Sequence, residues 1–258
     1  MATIKTAQQI ENIRQSGKYL NELLLKVKDA CKAWTCLIEL EFIAEDYLKK
    51  NNVKWSFKGY QGFPANLCLS LNDCLVHGIP DDTILKNWDL LKIDAWVTYK
   101  GGITDSAISI VIWGWHTNPL GQDLIKATKK ALDLGIQELG PDLPLINYGH
   151  TVANSVRKDG FAIIEQLTWH GVGNKLHEDP HVYNFAHPSM KKSFLKPWMV
   201  VAIEPITAVN STQFVQKRGN DRNLYCKNGD LWVQREYTVL ITNTGYEILS
   251  WITDPDRL

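Results

Sequence analysis

Four acids and one histidine stand where this chain would find an unpaired charge costly. Asp94 follows Ile93 in LLKIDAWVTY, and Asp105 precedes the apolar run Ala107–Ile112. Glu204 ends the apolar stretch of VVAIEPI, and Glu236 leads into YTVLI. A carboxylate buried without a partner costs several kcal/mol or shifts its pKa upward. Asp94 and Asp105 also flank the Gly101-Gly102 turn, so an antiparallel hairpin would set them nearly opposite one another, and facing carboxylates repel unless something positive lies between them. Taken singly, each acid also fits a solvent-facing strand end. Together with His170, on the glycine-flanked stretch LTWHGVGNKLHEDP, they make an oxygen-rich ligand set with a single nitrogen, suited to one or two divalent first-row ions. Two ions roughly 3.5–4 Å apart, bridged by shared carboxylates, would relieve the repulsion and activate a water. His77, in CLVHGIPDD, and His177 carry a weaker signal, because isolated histidines of this kind are more often structural hydrogen-bonders than catalysts.

The elements that would position these residues follow from periodicity. Thr6 is an N-cap candidate for a helix in which Ile10, Ile13, Leu20, Leu23, Leu24 and Val27 recur on one face, and that helix should lie outside a sheet. A second helical pattern covers Leu37 to Lys50. From Gly59 onward, short apolar runs separated by Gly, Pro and Asn signal strands. The segments 67–71, 90–99 and 103–112 alternate as strands, with YKGG at 99–102 closing the last two into a hairpin. Helical patterns return at Gly121–Leu139 and Tyr148–Asp159, with Gly160 as a stop. The stretches WMVVAIEP, STQFVQ, DLWVQREYTVLIT and YEILSW read as β. The expectation is a mixed α/β chain with mainly antiparallel connections, forming one domain over 1–258.

Composition narrows the class. Hydrophobic residues make up 45% of 258, enough for a sizeable core. Lys+Arg and Asp+Glu both number 28, which speaks against direct reading of nucleic acid. A polar N-terminus and the absence of a long apolar run point to a cytoplasmic protein that does not enter the membrane. Five cysteines without a C-x-x-C pair point to reduced, mostly buried thiols.

Five segments, GYQGFPANLCLSLNDCLVHGIPDD, LLKIDAWVTYKGGITDS, WHGVGNKLHEDP, LKPWMVVAIEP and VQREYTVLI, resemble in content and order the methionine aminopeptidases of the bacterial, short type. The resemblance spans essentially the whole chain. It implies an α/β (α+β) pita-bread fold: an antiparallel, pseudo-twofold sheet with helices on its outer face and a dinuclear metal site inside. It also implies a cofactor of two divalent metal ions, drawn from cobalt, manganese, iron or zinc. By the same resemblance Asp94 is a bidentate ligand of one ion, Asp105 and Glu236 bridge, and His170 and Glu204 bind the other. Glu204 also helps deprotonate the attacking water, His177 steadies the scissile carbonyl and its oxyanion, and His77 contacts the peptide nitrogen side. Tyr60, Phe63, Cys68 and Leu176 fall at the pocket for the first side chain. The activity implied is removal of the initiator methionine from nascent chains with a small second residue. The implied partners are nascent polypeptide N-termini and, beyond them, the ribosome; for the protein itself a monomer is the default expectation.

Some residues depart from the pattern. The loop Gly219–Lys227 lacks the tryptophan usual near the pocket, and Tyr237 stands where histidine commonly follows the last ligand, a change that bears on metal preference. Two rivals are a non-catalytic or weakened pita-bread binding protein, against which the five intact ligands argue, and a proline-type aminopeptidase, which normally carries a large extra N-terminal domain. The tryptophans are the strongest anomaly. Asn87-Trp88 occupies a turn where Asn-Gly would be expected, and Trp198 follows Pro197 where a type II turn needs positive φ. By resemblance, Trp34, Trp88, Trp96, Trp169 and Trp198 all fall where the family commonly has glycine. Exchange of glycine for the largest side chain meets steric and φ penalties on the order of 1–3 kcal/mol at each such turn.

Overall fold

The computed structural model describes residues 3–54, 57–113, 118–216 and 223–250. The chain opens with helices α1 (Ala7–Ala30) and α2 (Leu37–Lys50). Thr6 caps α1 as expected: its hydroxyl accepts from the Gln9 amide at 3.2 Å, and the Gln9 side chain accepts from the Thr6 amide at 2.8 Å. All six apolar residues singled out on α1 are buried, and the helix packs on a three-stranded antiparallel sheet of β1 (Cys68–Leu71), β2 (Leu90–Tyr99) and β3 (Gly102–Val111).

The β2–β3 hairpin closes through Lys100 (φ 46°) and Gly101 (φ 83°), a two-residue turn whose left-handed pair suits the twist of the strands. Its register places Trp96 across from Asp105 and Asp94 across from Ala107. The two acids therefore share a face but stand diagonally, offset by one pair on that face, rather than directly opposed.

The second half begins with α3 (Pro119–Ile136), capped by Asn118, and α4 (Leu145–Lys158), after which Gly160 at φ 86° ends the helical run. The strands that follow are β4 (Ala162–Ile163), β5 (Trp169–Gly171), β6 (Glu178–Val182), β7 (Val200–Ile203), β8 (Ile206–Ala208), β9 (Phe214–Gln216), β10 (Leu224–Cys226), β11 (Trp232–Gln234), β12 (Tyr237–Ile241) and β13 (Tyr246–Ile248). They form a five-stranded sheet ordered β13-β12-β7-β5-β6, a three-stranded sheet β11-β8-β4 and a β9-β10 pair, with antiparallel pairing throughout.

The stretch expected as one strand, DLWVQREYTVLIT, is broken. Tyr237 pairs with Ile203 and Gln234 with Ile206 in one continuous register, so β7-β8 and β11-β12 are a single ribbon interrupted at Glu204-Pro205 and Arg235-Glu236. Pro205 has no amide hydrogen to give a ladder. The Glu236 amide instead donates to the Ala107 carbonyl of β3 at 3.0 Å, and the Ser106 and Ser109 hydroxyls donate to the carbonyls of Glu236 and Gln234, each at 2.7 Å. The interruption thus locks the ribbon to the hairpin at the level of the acids. Trp251, expected to end the last strand, and residues 219–222 of the Gly219–Lys227 loop lie outside the described residues. All five cysteines are free, four of them buried, and no described helix is long and apolar enough to cross a membrane.

Candidate active site

The hairpin and the interrupted ribbon deliver Asp94, Asp105, Glu204 and Glu236 to one cavity of about 1040 Å³. Their relative exposures run only from 2% to 9%, so water does little to offset their charge. Ligand oxygens of Asp94, Asp105 and Glu236 all come within 4.8 Å of one another. Burial raises the pKa of Asp94 to about 7. Burial first, and then the neighbouring carboxylates, push Asp105, Glu204 and Glu236 well above the usual carboxylate range.

Gln234, a residue that sequence reasoning passed over, reaches into this group. Its side-chain amide donates to Asp94 Oδ2 at 3.2 Å and to Glu204 Oε1. Glu204 is held from behind as well: the Asn184 amide donates to its backbone carbonyl at 2.7 Å, and the Tyr148 hydroxyl donates to Asn184 at 2.6 Å. The Gln234 amide still leaves Asp94 Oδ1 and Asp105 Oδ1 buried without a partner. Two orphaned carboxylate oxygens in a cluster of four buried acids are what a divalent cation would satisfy.

His170 lines the same cavity from β5. Its Nδ1 lies 3.0 Å from the Gly171 carbonyl, which can only accept, so Nδ1 carries the proton and the neutral ring keeps its lone pair on Nε2. Burial, then the neighbouring His177, lowers the His170 pKa to about 4, which keeps the ring neutral at pH 7. The His170 and His177 rings meet edge to face with centroids 4.3 Å apart. The local sequence explains this closeness. A Cβ on Gly171 would sit 2.2 Å from the Asp179 carbonyl oxygen, so β5 and β6 can approach only with glycine there. Glu178 braces the connection, accepting from the Asn174 and Lys175 amides at 2.8 and 2.9 Å and from the buried Lys5 ammonium at 2.5 Å.

The other residues singled out from the sequence are partly gathered. Tyr60, Phe63, Leu176, His77 and His177 line the cavity. The Tyr60 hydroxyl lies 2.8 Å from His177 Nδ1. His77 is exposed and has left-handed backbone (φ 60°) just before Gly78. Cys68 does not reach the cavity surface: it pairs with Asp94 across the sheet and packs behind Phe63 and Ala65. Tyr237 is 2% exposed and belongs to the apolar core on the far face of β12 from Glu236, so its difference from the family pattern does not place a new group among the acids. Trp169 is in strand β5 rather than in a polar turn, and its ring is shared between that core and the cavity wall.

A fold of this kind with buried acids and one neutral imidazole at its centre defines a class, and the comparisons agree. Residues 11–243 match metallopeptidase family M24, and the chain belongs to that family. Its fold is the pita-bread fold of that family. Within the family the chain is one of the methionine aminopeptidases. It is 34% identical to the methionine aminopeptidase of Mycoplasma capricolum over 97% of this chain and 98% of that protein. A crystal structure of methionine aminopeptidase from Thermotoga maritima superimposes with a TM-score of 0.92 at 30% identity, covering 97% of this chain and 99% of that one. A prolidase from Pyrococcus furiosus shares the fold at a TM-score of 0.77 and 20% identity, but this chain spans only 65% of it.

Proposed function

We propose that this chain, as one catalytic domain, removes the N-terminal methionine from nascent proteins and peptides with a small second residue. The observation that carries the reading is the cluster of four buried acids sharing one cavity with His170 and His177, in a chain similar over nearly its full length to methionine aminopeptidases. Asp94, Asp105 and Glu236, with His170 and Glu204, would hold two divalent ions of manganese, iron, cobalt or zinc. When bound, the ions supply Lewis-acid polarisation of the scissile carbonyl and a nucleophilic water at neutral pH.

The chain's own residues do the rest. Glu204, buried at the cavity beside the other acids, takes the proton from the attacking water. His177 donates to the developing oxyanion, and His77 meets the peptide nitrogen side. Tyr60, Phe63 and Leu176 receive the methionine side chain, with Cys68 packed behind Phe63. An unbranched thioether suits such a pocket because it is flexible and polarizable. The protein acts as a monomer in the cytoplasm, on chains at or near the ribosome, and reads no nucleic acid directly.

A neutral His177 donates through Nε2 when Nδ1 is unprotonated, and the Tyr60 hydroxyl, 2.8 Å from Nδ1, favours that tautomer by donating to it. Tyr60→Phe is therefore expected to lower kcat about tenfold, the effect of one hydrogen bond, with KM for a methionyl peptide little changed. A change confined to KM would leave Tyr60 as a pocket wall only.

The direct test is release of free methionine from Met-Ala-Ser by the purified, metal-stripped protein titrated with manganese or cobalt. Metal-dependent release is expected. Release from Xaa-Pro peptides but not from Met-Ala-Ser would favour the proline-type reading, and silence toward both at saturating metal would favour the binding-protein reading.

A further inference from the structure

Among the described residues, ten that are not glycine have positive φ, and four of these are tryptophans: Trp34 (78°), Trp88 (74°), Trp113 (55°) and Trp198 (72°). The other six are Asn52, Gln61, Asn72, His77, Lys100 and Asp142, mainly types whose polar side chains tolerate the left-handed region. A large aromatic there is an outlier. The described residues hold seven of the chain's ten tryptophans, so more than half of those seven lie in backbone that glycine alone adopts freely.

Three of the four share one local geometry. Trp34, Trp88 and Trp198 each occupy the third position of a four-residue turn. These turns are closed by amide-to-carbonyl bonds from Thr35 to Lys32 at 3.1 Å, from Asp89 to Lys86 at 3.2 Å and from Met199 to Lys196 at 3.1 Å. With Pro197 before it, the Trp198 turn has the type II pattern, whose third residue requires positive φ. Packing does not ask for an indole at most of these sites either: Trp34, Trp88 and Trp113 are 83%, 57% and 72% exposed. Trp232 is the contrast, fully buried in strand β11 with extended backbone.

We propose that the functional protein carries glycine at positions 34, 88, 113 and 198. Its gene encodes them by UGA, which one genetic code renders as tryptophan and its own organism reads as glycine. Trp232, whose ring fills the core, is encoded by UGG and stays tryptophan.

The test needs no peptidase activity. The gene is expected to show UGA at the four positions and UGG at 232, and protein purified from its native source should be lighter than the tryptophan form by one indolylmethyl-for-hydrogen difference at each. UGG at the four positions, or the full tryptophan mass, overturns the proposal. An independent readout separates codon from backbone. In a recombinant host, Trp34→Gly, Trp88→Gly, Trp113→Gly and Trp198→Gly together are expected to raise Tm by roughly 2–4 °C for each position. The four alanine substitutions, which keep a Cβ, are expected to give no such rise. An equal rise with alanine, or none with glycine, shows that the turns do not demand glycine and overturns the proposal.

Discussion

Glu204→Gln is expected to reduce methionine release by at least about a hundredfold, at saturating manganese or cobalt, while the metal-stripped variant melts no lower than the parent protein. The kinetic half follows from the role assigned to the carboxylate, since loss of a positioned proton acceptor removes about 10²–10⁴ of rate. The stability half follows from the site. Glu204 lies 6% exposed among Asp94, Asp105 and Glu236, so its charge is both desolvated and repelled. Glutamine keeps the shape, and its amide oxygen still accepts from Gln234, as Glu204 Oε1 does. Removing one negative charge from such a cluster relieves repulsion without leaving a cavity. Saturating metal matters, because a neutral amide is also a weaker ligand and the assay must separate weak binding from slow chemistry. Activity within a few-fold of the parent protein would remove Glu204 from the proton-transfer role. A marked fall in Tm would show that its charge, rather than its shape, holds the fold.

The acids were legible in the sequence because each interrupts an apolar run, and charge at such places has few purely structural explanations. The hairpin was legible too, because two alternating strands flank YKGG at 99–102. The diagonal offset of Asp94 and Asp105 was not legible: a two-residue turn at Tyr99 and Lys100 would have set them directly opposite, and the turn forms one residue later, at Lys100 and Gly101. Gln234 gave no signal at all: a neutral amide in VQRE looks like any strand residue until the fold turns it toward Asp94 and Glu204.

The strands β4, β5, β6, β8 and β10 were missed for a related reason. All but β6 are two or three residues long, too short for alternation to register, β6 reads EDPHV with a single apolar side chain besides its proline, and all exist because a partner strand is already in place. The opposite error joined β11 to β12. Continuous apolar patterning hid the break at Arg235-Glu236, which is set by Pro205 on the neighbouring strand and by the hydrogen bond from Glu236 to Ala107 on the hairpin. At Trp88 and Trp198, turn chemistry at the sequence level did anticipate the backbone, while Trp113 escaped it.

Metal-stripped protein is expected to lose thermal stability between pH 6.5 and pH 8, and a divalent ion should abolish or reverse that slope. Carboxylates whose folded pKa is raised bind more protons in the folded state than in the unfolded one. Their contribution to stability is present below the unfolded value and lost as pH rises through the folded value. Asp94 moves from the ordinary 3.8 to about 7, and Asp105, Glu204 and Glu236 move well above the usual range, so loss continues through neutrality. The window is bounded by groups of opposite sign. Buried His170, lowered to about 4, favours folding increasingly as pH rises toward 6.5 and is constant above it. Buried Lys92, lowered to about 8, begins to favour folding only above that pH. Between the two limits, one carboxylate held protonated in the fold contributes a loss of about 2 kcal/mol, or roughly 4–8 °C in Tm. Manganese at a hundred times its dissociation constant should restore about 2.7 kcal/mol, and the same manganese concentration should restore more at higher pH, because the ion binds carboxylates that have given up their protons. Scanning calorimetry of the stripped and reloaded protein at pH 6.5, 7.2 and 8 measures both slopes. A stripped protein whose Tm is flat or rises across that range would show that the four acids are already neutralised by groups of the chain itself, and the case for a metal built on their unpaired oxygens would fail.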